Sequence, residues 1–427
     1  MQGMPVPARL DFAAGLIEPL RHVHVTLRPQ FMSSAPRIMQ GFPPAADRRP
    51  THENWDLPPY NRWSFQNVRR VLPTAPVSRG AGPVDALPTE TQDLSEVRFA
   101  AMDGSTRTLA QMLTETYTDG FIVVHRGRIV TELYFNDMTP STEHLSQSVS
   151  KSLVSTVCGI LIHDGVLDPQ APLSHYVPEL ARCGYGDATL NHVLDMRSGV
   201  RFDETYGDPD ADITLFDIVT GWRPPRDGVP LSVYDYLLTL PKQREHGGDF
   251  NYRSVETDVI GWVMERATDR HLCDLVSRHV WSRIGTGHGA YFTVDRAGTA
   301  LADGGFNATL RDYARFGLLH LNDGRAMGQQ IVPVDWVRAC RTGDPSVFGE
   351  PYDILTPGGA YSKQWWIHDV ERGISQALGI FGQMIWIDPP AEMVVVKLSS
   401  WPAYLMPEFS YNTDRAIEAV ARALSGR

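Results

Sequence analysis

Between Phe121 and Phe135 two apolar runs flank His125-Arg126-Gly127-Arg128, the pattern of a β-hairpin whose turn uses the glycine. A matching pair lies toward the other end, where Gln383 to Ile387 and Met393 to Leu398 are separated by Asp388-Pro389-Pro390-Ala391-Glu392. The last segment, Asn412 to Leu424, sets Ile417, Val420, Ala421 and Leu424 at helical spacing, with Asn412 or Thr413 as the expected cap. Two hairpins roughly 250 residues apart, with helical patterns between and after them, predict an α+β fold. Its antiparallel sheet is drawn from both ends of the chain and the middle forms a helical insertion. Residues 1 to about 60 are rich in proline and arginine without sustained periodicity, and a second proline- and glycine-rich connection runs from Leu72 to Pro88. The expected division is an N-terminal arm (1–55), a catalytic α/β body (56–165 and 290–427) and a mainly helical subdomain (166–289). No internal repeat is visible.

Composition narrows the classes. Of 427 residues, 42% are hydrophobic, enough for a large packed core, and acidic residues outnumber basic ones by 50 to 39. No basic stripe suits a phosphate backbone, so nucleic acid is not an expected partner. Cys158, Cys183, Cys273 and Cys340 lie far apart, form no C-x-x-C and lack the histidine spacing of a zinc site. A reduced, cytoplasmic chain is the expectation, with no metal and no cofactor. Asp11 and Glu18 interrupt the only apolar stretch near the start, so no secretory segment is expected there. The longest apolar run, Leu153 to Ile162, contains Ser155 and Thr156 and falls short of the roughly 18 residues of a membrane span, so no membrane association is expected. Aromatic and proline-rich residues near the N-terminus leave room for a homodimer. The basic set is lopsided, with four lysines (Lys151, Lys242, Lys363, Lys397) against 35 arginines.

One of those lysines sits in Gln147-Ser148-Val149-Ser150-Lys151, ahead of the apolar series Leu153, Val154, Val157, Ile160, Leu161. As a helix, this stretch puts Ser148 in the first turn and Lys151 one turn later on the same face. A serine hydroxyl becomes a nucleophile when a base takes its proton, and a lysine is that base only when neutral. Neutrality demands a pKa about three below the reference of about 10.4, through burial or nearby positive charge. With four lysines in the chain, S-x-x-K alone is a weak signal, and a capped helix with a solvated lysine would look the same. The small and apolar neighbours of Lys151 argue for burial. A tyrosine followed two places later by serine or asparagine would relay a proton to the leaving group. Tyr134-Phe135-Asn136 falls on the first hairpin and reads as sheet packing. Tyr252-Arg253-Ser254 sits in a loop just before a helix over Thr257 to Ala267, where such a group is well presented.

Other serine chemistry has little support. Gly373-Ile374-Ser375-Gln376-Ala377 is the nearest miss to a nucleophile elbow and leads into a strand where an elbow leads into a helix. P-loop, dinucleotide and H-E-x-x-H signatures are missing. His22 and His24 read as surface residues and Cys158 as core.

The order Ser148-Val149-Ser150-Lys151, Tyr252-Arg253-Ser254, Gly379-Ile380-Phe381-Gly382-Gln383 resembles serine hydrolases of the class C β-lactamase and penicillin-recognising family, most of all its nylon-oligomer hydrolase and carboxylesterase branch. Asn61-Arg62-Trp63-Ser64-Phe65, Tyr176-Val177-Pro178-Glu179-Leu180, Gln364-Trp365-Trp366 and Val396-Lys397-Leu398-Ser399-Ser400-Trp401-Pro402 extend the resemblance from about residue 55 to the C-terminus. It implies a β-lactamase/transpeptidase-like fold, with Ser148 as nucleophile, Lys151 as base and Tyr252 as proton relay. The backbone N–H groups of Ser148 and Ile380 would form the oxyanion hole. Tyr206 matches a tyrosine on a loop that closes over amide substrates, and Asp217 a carboxylate that holds the substrate's ammonium end. Trp222 and Trp366 match aromatic walls of the cleft. Phe381 stands where the nylon-oligomer enzymes have histidine and Asp303 where they have asparagine, both at expected substrate-binding positions. The third motif also lacks the lysine by which β-lactamases hold the substrate carboxylate, so β-lactam turnover is expected to be slight. The expected function is hydrolysis of small linear amides or carboxylic esters through an acyl-enzyme. The competing reading is a penicillin-binding-type protein that acylates with little turnover, or a weak β-lactamase.

Overall fold

The computed structural model describes residues 37–354 and 356–426; His22 and His24 and the greater part of the predicted arm lie outside them. The dominant element is a seven-stranded antiparallel sheet. Its strands, in chain order, are β1 (Thr118–His125), β2 (Arg128–Tyr134), β3 (Ala360–Ser362), β4 (Trp365–Asp369), β5 (Ile374–Gly379), β6 (Gln383–Asp388) and β7 (Met393–Ser399), arranged as β3-β4-β5-β6-β7-β1-β2. Both predicted hairpins are present, and they meet where β7 pairs with β1, Val396 opposite Ile122 and Val394 opposite Val124. The sheet is thus built from both ends of the chain.

Alternation along these strands divides two cores. Ile122, Val124, Val394, Val396 and Ile385 face one side, and Phe121, Val123, Met393, Val395 and Trp386 the other, as a period of two requires when both faces are covered. The second face lies beneath helix Pro407–Ser425, whose Ala416, Ile417 and Val420 pack there with Met112 and Leu113. That helix begins five residues before the predicted cap. Pro407 at its first position starts it, and Asn412 and Thr413 are buried inside it: Asn412 Oδ1 accepts from the N–H of Met102 and Thr413 Oγ1 donates to the carbonyl of Phe409.

The first face carries helices α1 (Val149–His163) and α3 (Leu310–Leu321), and α2 (Val255–Thr268) packs against α1 in the same core. Helix α1 is buried from Val149 through Leu161, so its polar residues must find partners inside the protein. They do: Ser150, Ser152 and Ser155 donate to the carbonyls of Ala302, Gln364 and Lys363. A smaller antiparallel sheet joins Thr74–Val77, Ala290–Thr293, Phe306–Thr309 and Glu143–Leu145 in that order. Residues 166–289 are mainly helical, with isolated bridges such as Val200 to Lys242. The described end of the predicted arm packs onto the body: Trp55 is buried, its indole donates to the carbonyl of Trp222, and Asp56 pairs with Arg223. All four cysteines are free. Among the described residues no helix is long and apolar enough to cross a membrane.

Candidate active site

Ser148 occupies the N-cap position of α1, where a serine ordinarily turns its hydroxyl back onto the helix N–H groups. Here it makes no such bond. Its Oγ accepts from Lys151 Nζ at 2.8 Å, and the same ammonium donates to the carbonyl of Asp303 at 2.7 Å. The Asp303 carboxylate stands 3.8 Å from Nζ. Tyr252, in the loop ahead of α2, turns toward both Ser148 and Lys151; burial raises its pKa, with those two groups opposing. Its ring lies 5.3 Å from Nζ and stacks on Trp366 at a centroid distance of 5.3 Å. Lys151 from the same helical turn and Tyr252 from a distant loop therefore meet at one hydroxyl, with Asp303 behind the lysine.

The electrostatics differ from the neutral lysine that the sequence reading requires. Burial pushes the Lys151 pKa down, but Tyr252, Asp303, Glu204 and Asp258 together outweigh it and hold the resting side chain as ammonium, with a raised pKa. Burial in turn raises Glu204, Asp258 and Asp303, against the pull of Lys151. Asp258 Oδ2 and Asp303 Oδ1 are buried without hydrogen-bond partners. A lysine, a tyrosine and three carboxyl groups thus form one proton-sharing cluster, in which each site's charge depends on its neighbours.

The backbone donors predicted for an oxyanion come close together. Ser148 stands at the N-cap position of α1, and Ile380 opens a single helical turn, Ile380–Gly382, that follows β5; N–H groups at helix starts have no intrahelical acceptor. The absence of a side chain at Gly379 permits the approach, since a Cβ there would stand 2.5 Å from the carbonyl oxygen of Ser146 and 2.9 Å from Cβ of Gln147. Gln383 braces the turn: its Nε2 donates to the carbonyls of Ser399 at 2.7 Å, Phe381 at 3.3 Å and Ile380 at 3.4 Å, while its Oε1 accepts from the N–H of Ser399 at 3.1 Å.

Two cavities meet at Ser148, Tyr206 and Ile380. One, of about 200 Å³, is lined by Tyr252, Trp366 and Tyr404 among others. The other, about 30 Å³, is lined by Asp217, Trp222 and Asp303. A roomier groove of about 630 Å³ beside Asp85, Arg315 and Met327 touches none of these groups. Asp217, on helix Asp212–Val219, lies 3.8 Å from Arg223, but Arg223 is held closer by Asp56 at 2.9 Å. Burial lifts the Asp217 carboxyl to about 7, with Arg223 opposing and Asp56 and Asp303 adding. Such a group has unspent capacity for a cation. The Trp222 indole donates to Thr293 Oγ1 and packs edge-on to Trp55 at 5.1 Å, which fixes it as a wall. Tyr206 donates to Glu204 Oε1 at 2.7 Å and stacks on Tyr404.

Phe381 is the exception among the expected cleft residues. Its φ of 61° turns the ring inward, where it packs on Phe65 at 5.3 Å and Tyr404 at 4.9 Å, and it lines neither cavity. The sequence reading also passed over Glu204, Asp258 and Gln383. Glu204 accepts from both the N–H and the hydroxyl of Ser254, at the start of α2, and so ties Tyr206 to the Tyr252 loop. Asp258 accepts from the N–H groups of Ala302 and Asp303, which places the Asp303 segment against α2.

The family model for Beta-lactamase matches residues 106–419. A 6-aminohexanoate-dimer hydrolase of Paenarthrobacter ureafaciens is 39% identical over 365 residues, which cover 84% of this chain and 91% of that protein. A Bacillus anthracis protein provisionally assigned the same activity superposes with a TM-score of 0.81 at 30% identity, over 90% of this chain and 99% of the other. A family VIII carboxylesterase shares the fold, with a TM-score of 0.53 at 16% identity over 71% of this chain and 92% of its own. With the predicted fold present and the match running through most of its length, the chain belongs to the Beta-lactamase family of hydrolases.

Proposed function

We propose that this hydrolase cleaves small linear amides and carboxylic esters through an acyl-enzyme on Ser148. The observation that carries the reading is the 2.8 Å bond between Lys151 Nζ and a serine hydroxyl that has given up its capping role at the mouth of two cavities. Lys151 begins as ammonium, and its proton is shared out into the surrounding cluster of Glu204, Asp258 and Asp303. The neutral amine then takes the Ser148 proton as Oγ bonds to the carbonyl carbon. The carbonyl oxygen gains the charge and is met by the N–H groups of Ser148 and Ile380. As the carbon–nitrogen or carbon–oxygen bond breaks, the leaving atom takes a proton from Tyr252, which recovers one from Lys151. Water repeats the sequence on the acyl-enzyme and releases the acid.

Asp217 favours an acyl half that ends in an ammonium group, the chemistry named for the Paenarthrobacter ureafaciens relative. Its carboxylate form is the binding form, and it is gained as pH rises through about 7. KM for a 6-aminohexanoyl amide should therefore fall as pH rises across that value, while KM for an ester with an uncharged acyl chain stays flat. Asp217→Asn should raise the first KM about tenfold and remove its pH dependence. The decisive experiment is a burst assay with p-nitrophenyl esters, read with intact-mass detection of the adduct. A Ser148→Ala protein that kept full turnover would end the proposal.

A further inference from the structure

The two cavities that share Ser148 differ in chemistry, and the proton relay belongs to one of them. Tyr252 lines the larger chamber and is not among the lining residues of the alcove that holds Asp217 and Asp303. The atom that leaves must take its proton from Tyr252 on the reading above, so the leaving half lies in the chamber and the acyl half runs from Ser148 toward the alcove, with its end aimed at Asp217. The chamber is walled by Trp366, Leu378, Met384, Trp401, Tyr404 and Leu405. Among its described lining residues there is no arginine, lysine or histidine. The side chain there that can carry a charge is Asp414, whose Oδ1 accepts from Gln376 Nε2 at 3.2 Å.

We infer that the chamber selects an uncharged, apolar leaving group, so that the preferred substrates are ω-aminoacyl amides and esters of neutral aliphatic or aromatic amines and alcohols. The inference rests on the acyl-enzyme reading and deepens it. A leaving half that ends in a carboxylate, as the 6-aminohexanoate dimer does, would lose water against apolar walls, find no cation, and approach the Asp414 carboxyl. Burying a charge without a partner is costly, whereas a methyl end in the same place gains from leaving water. The chamber and the alcove thus impose opposite demands on the two ends of one substrate: a cation on the acyl end and no charge on the other.

The test holds the acyl half constant. N-hexyl 6-aminohexanamide and the linear 6-aminohexanoate dimer are compared by kcat/KM on the wild-type enzyme and on Leu405→Lys, which places an ammonium at the exposed rim of the chamber. The wild type should prefer the hexylamide by about tenfold or more, and Leu405→Lys should narrow the gap to about threefold by raising the dimer rate. A ratio near one in the wild type, or a ratio that Leu405→Lys leaves unmoved, overturns the assignment. p-Nitrophenyl 6-aminohexanoate separates the two levels. A burst or a mass adduct with that ester, alongside a ratio near one, sinks the leaving-group inference alone, and full turnover of that ester by Ser148→Ala sinks the acyl-enzyme reading and the inference with it.

Discussion

Two of the four lysines are buried beside a serine, and their surroundings move their pKa values in opposite directions. Lys151 meets Ser148 at the junction of two cavities, among carboxyl groups that hold it as ammonium. Lys397, on β7, hydrogen-bonds Ser399 inside the sheet, where burial brings its pKa down to about 7 against the pull of Asp119. The lysine with the lowered pKa that a simple Ser/Lys scheme asks for therefore lines neither of the cavities that meet at Ser148. The candidate base in the cleft starts charged. Proximity and pKa are thus insufficient to pick the reactive pair: access to substrate and a place for the proton to go separate the two.

That contrast can be broken most directly by removing each lysine. Lys151→Ala should lower kcat/KM by about a thousandfold or more, while Lys397→Met should keep turnover within about threefold of wild type. A deep loss in a folded Lys397→Met protein, judged by circular dichroism, would move the chemistry to the wrong dyad. Lys397 should instead appear in stability. Its folded pKa is below the unfolded value, so between about pH 7 and 10 the unfolded chain binds the extra proton and stability rises with pH, by about 1 kcal/mol per pH unit at most. Urea unfolding of Lys397→Met should be flatter across that window.

Next in size is the brace behind the oxyanion donors. Gln383→Leu should lower kcat by about 10- to 100-fold with KM little changed, because only the charged intermediate depends on the aim of the Ile380 N–H. A rise in KM without a fall in kcat would reduce Gln383 to a folding role. The smallest effect sharpens the account of Lys151. Asp303→Asn removes one of the charges that hold its proton, so the acid limb of the kcat/KM profile should move down by about one pH unit. A limb that moves upward would contradict the proton-sharing cluster.

What could be read from the sequence follows from how local each signal is. The Ser148–Lys151 spacing, the loop setting of Tyr252 and both hairpins depend on near neighbours, and periodicity carries them. Glu204, Asp258 and Gln383 act on partners brought near by the fold: Glu204 on Ser254, Asp258 on the N–H of Ala302, Gln383 on Ser399. No spacing rule announces them. The sign of the Lys151 shift depends on the same tertiary contacts, which is why a neutral lysine was the wrong expectation. Phe381 was misplaced because a left-handed backbone angle reverses the direction its position suggests. The final helix starts at Pro407, whose fixed backbone angle is a stronger start signal than the side chain of Asn412 about one and a half turns later.

The pairing of β7 with β1 also has a consequence for how the enzyme comes into being. Residues 118–125 emerge from synthesis well before their neighbour in the sheet, 393–399. Non-local pairing of this kind is slow, because the long intervening loop must close before any contact rewards it. The turn that carries Ile380 is clamped to β7 through Gln383 and Ser399. A nascent chain that contains Ser148 and Lys151 but not yet residues 393–399 therefore has no oriented oxyanion donor, and reactivity waits for that strand.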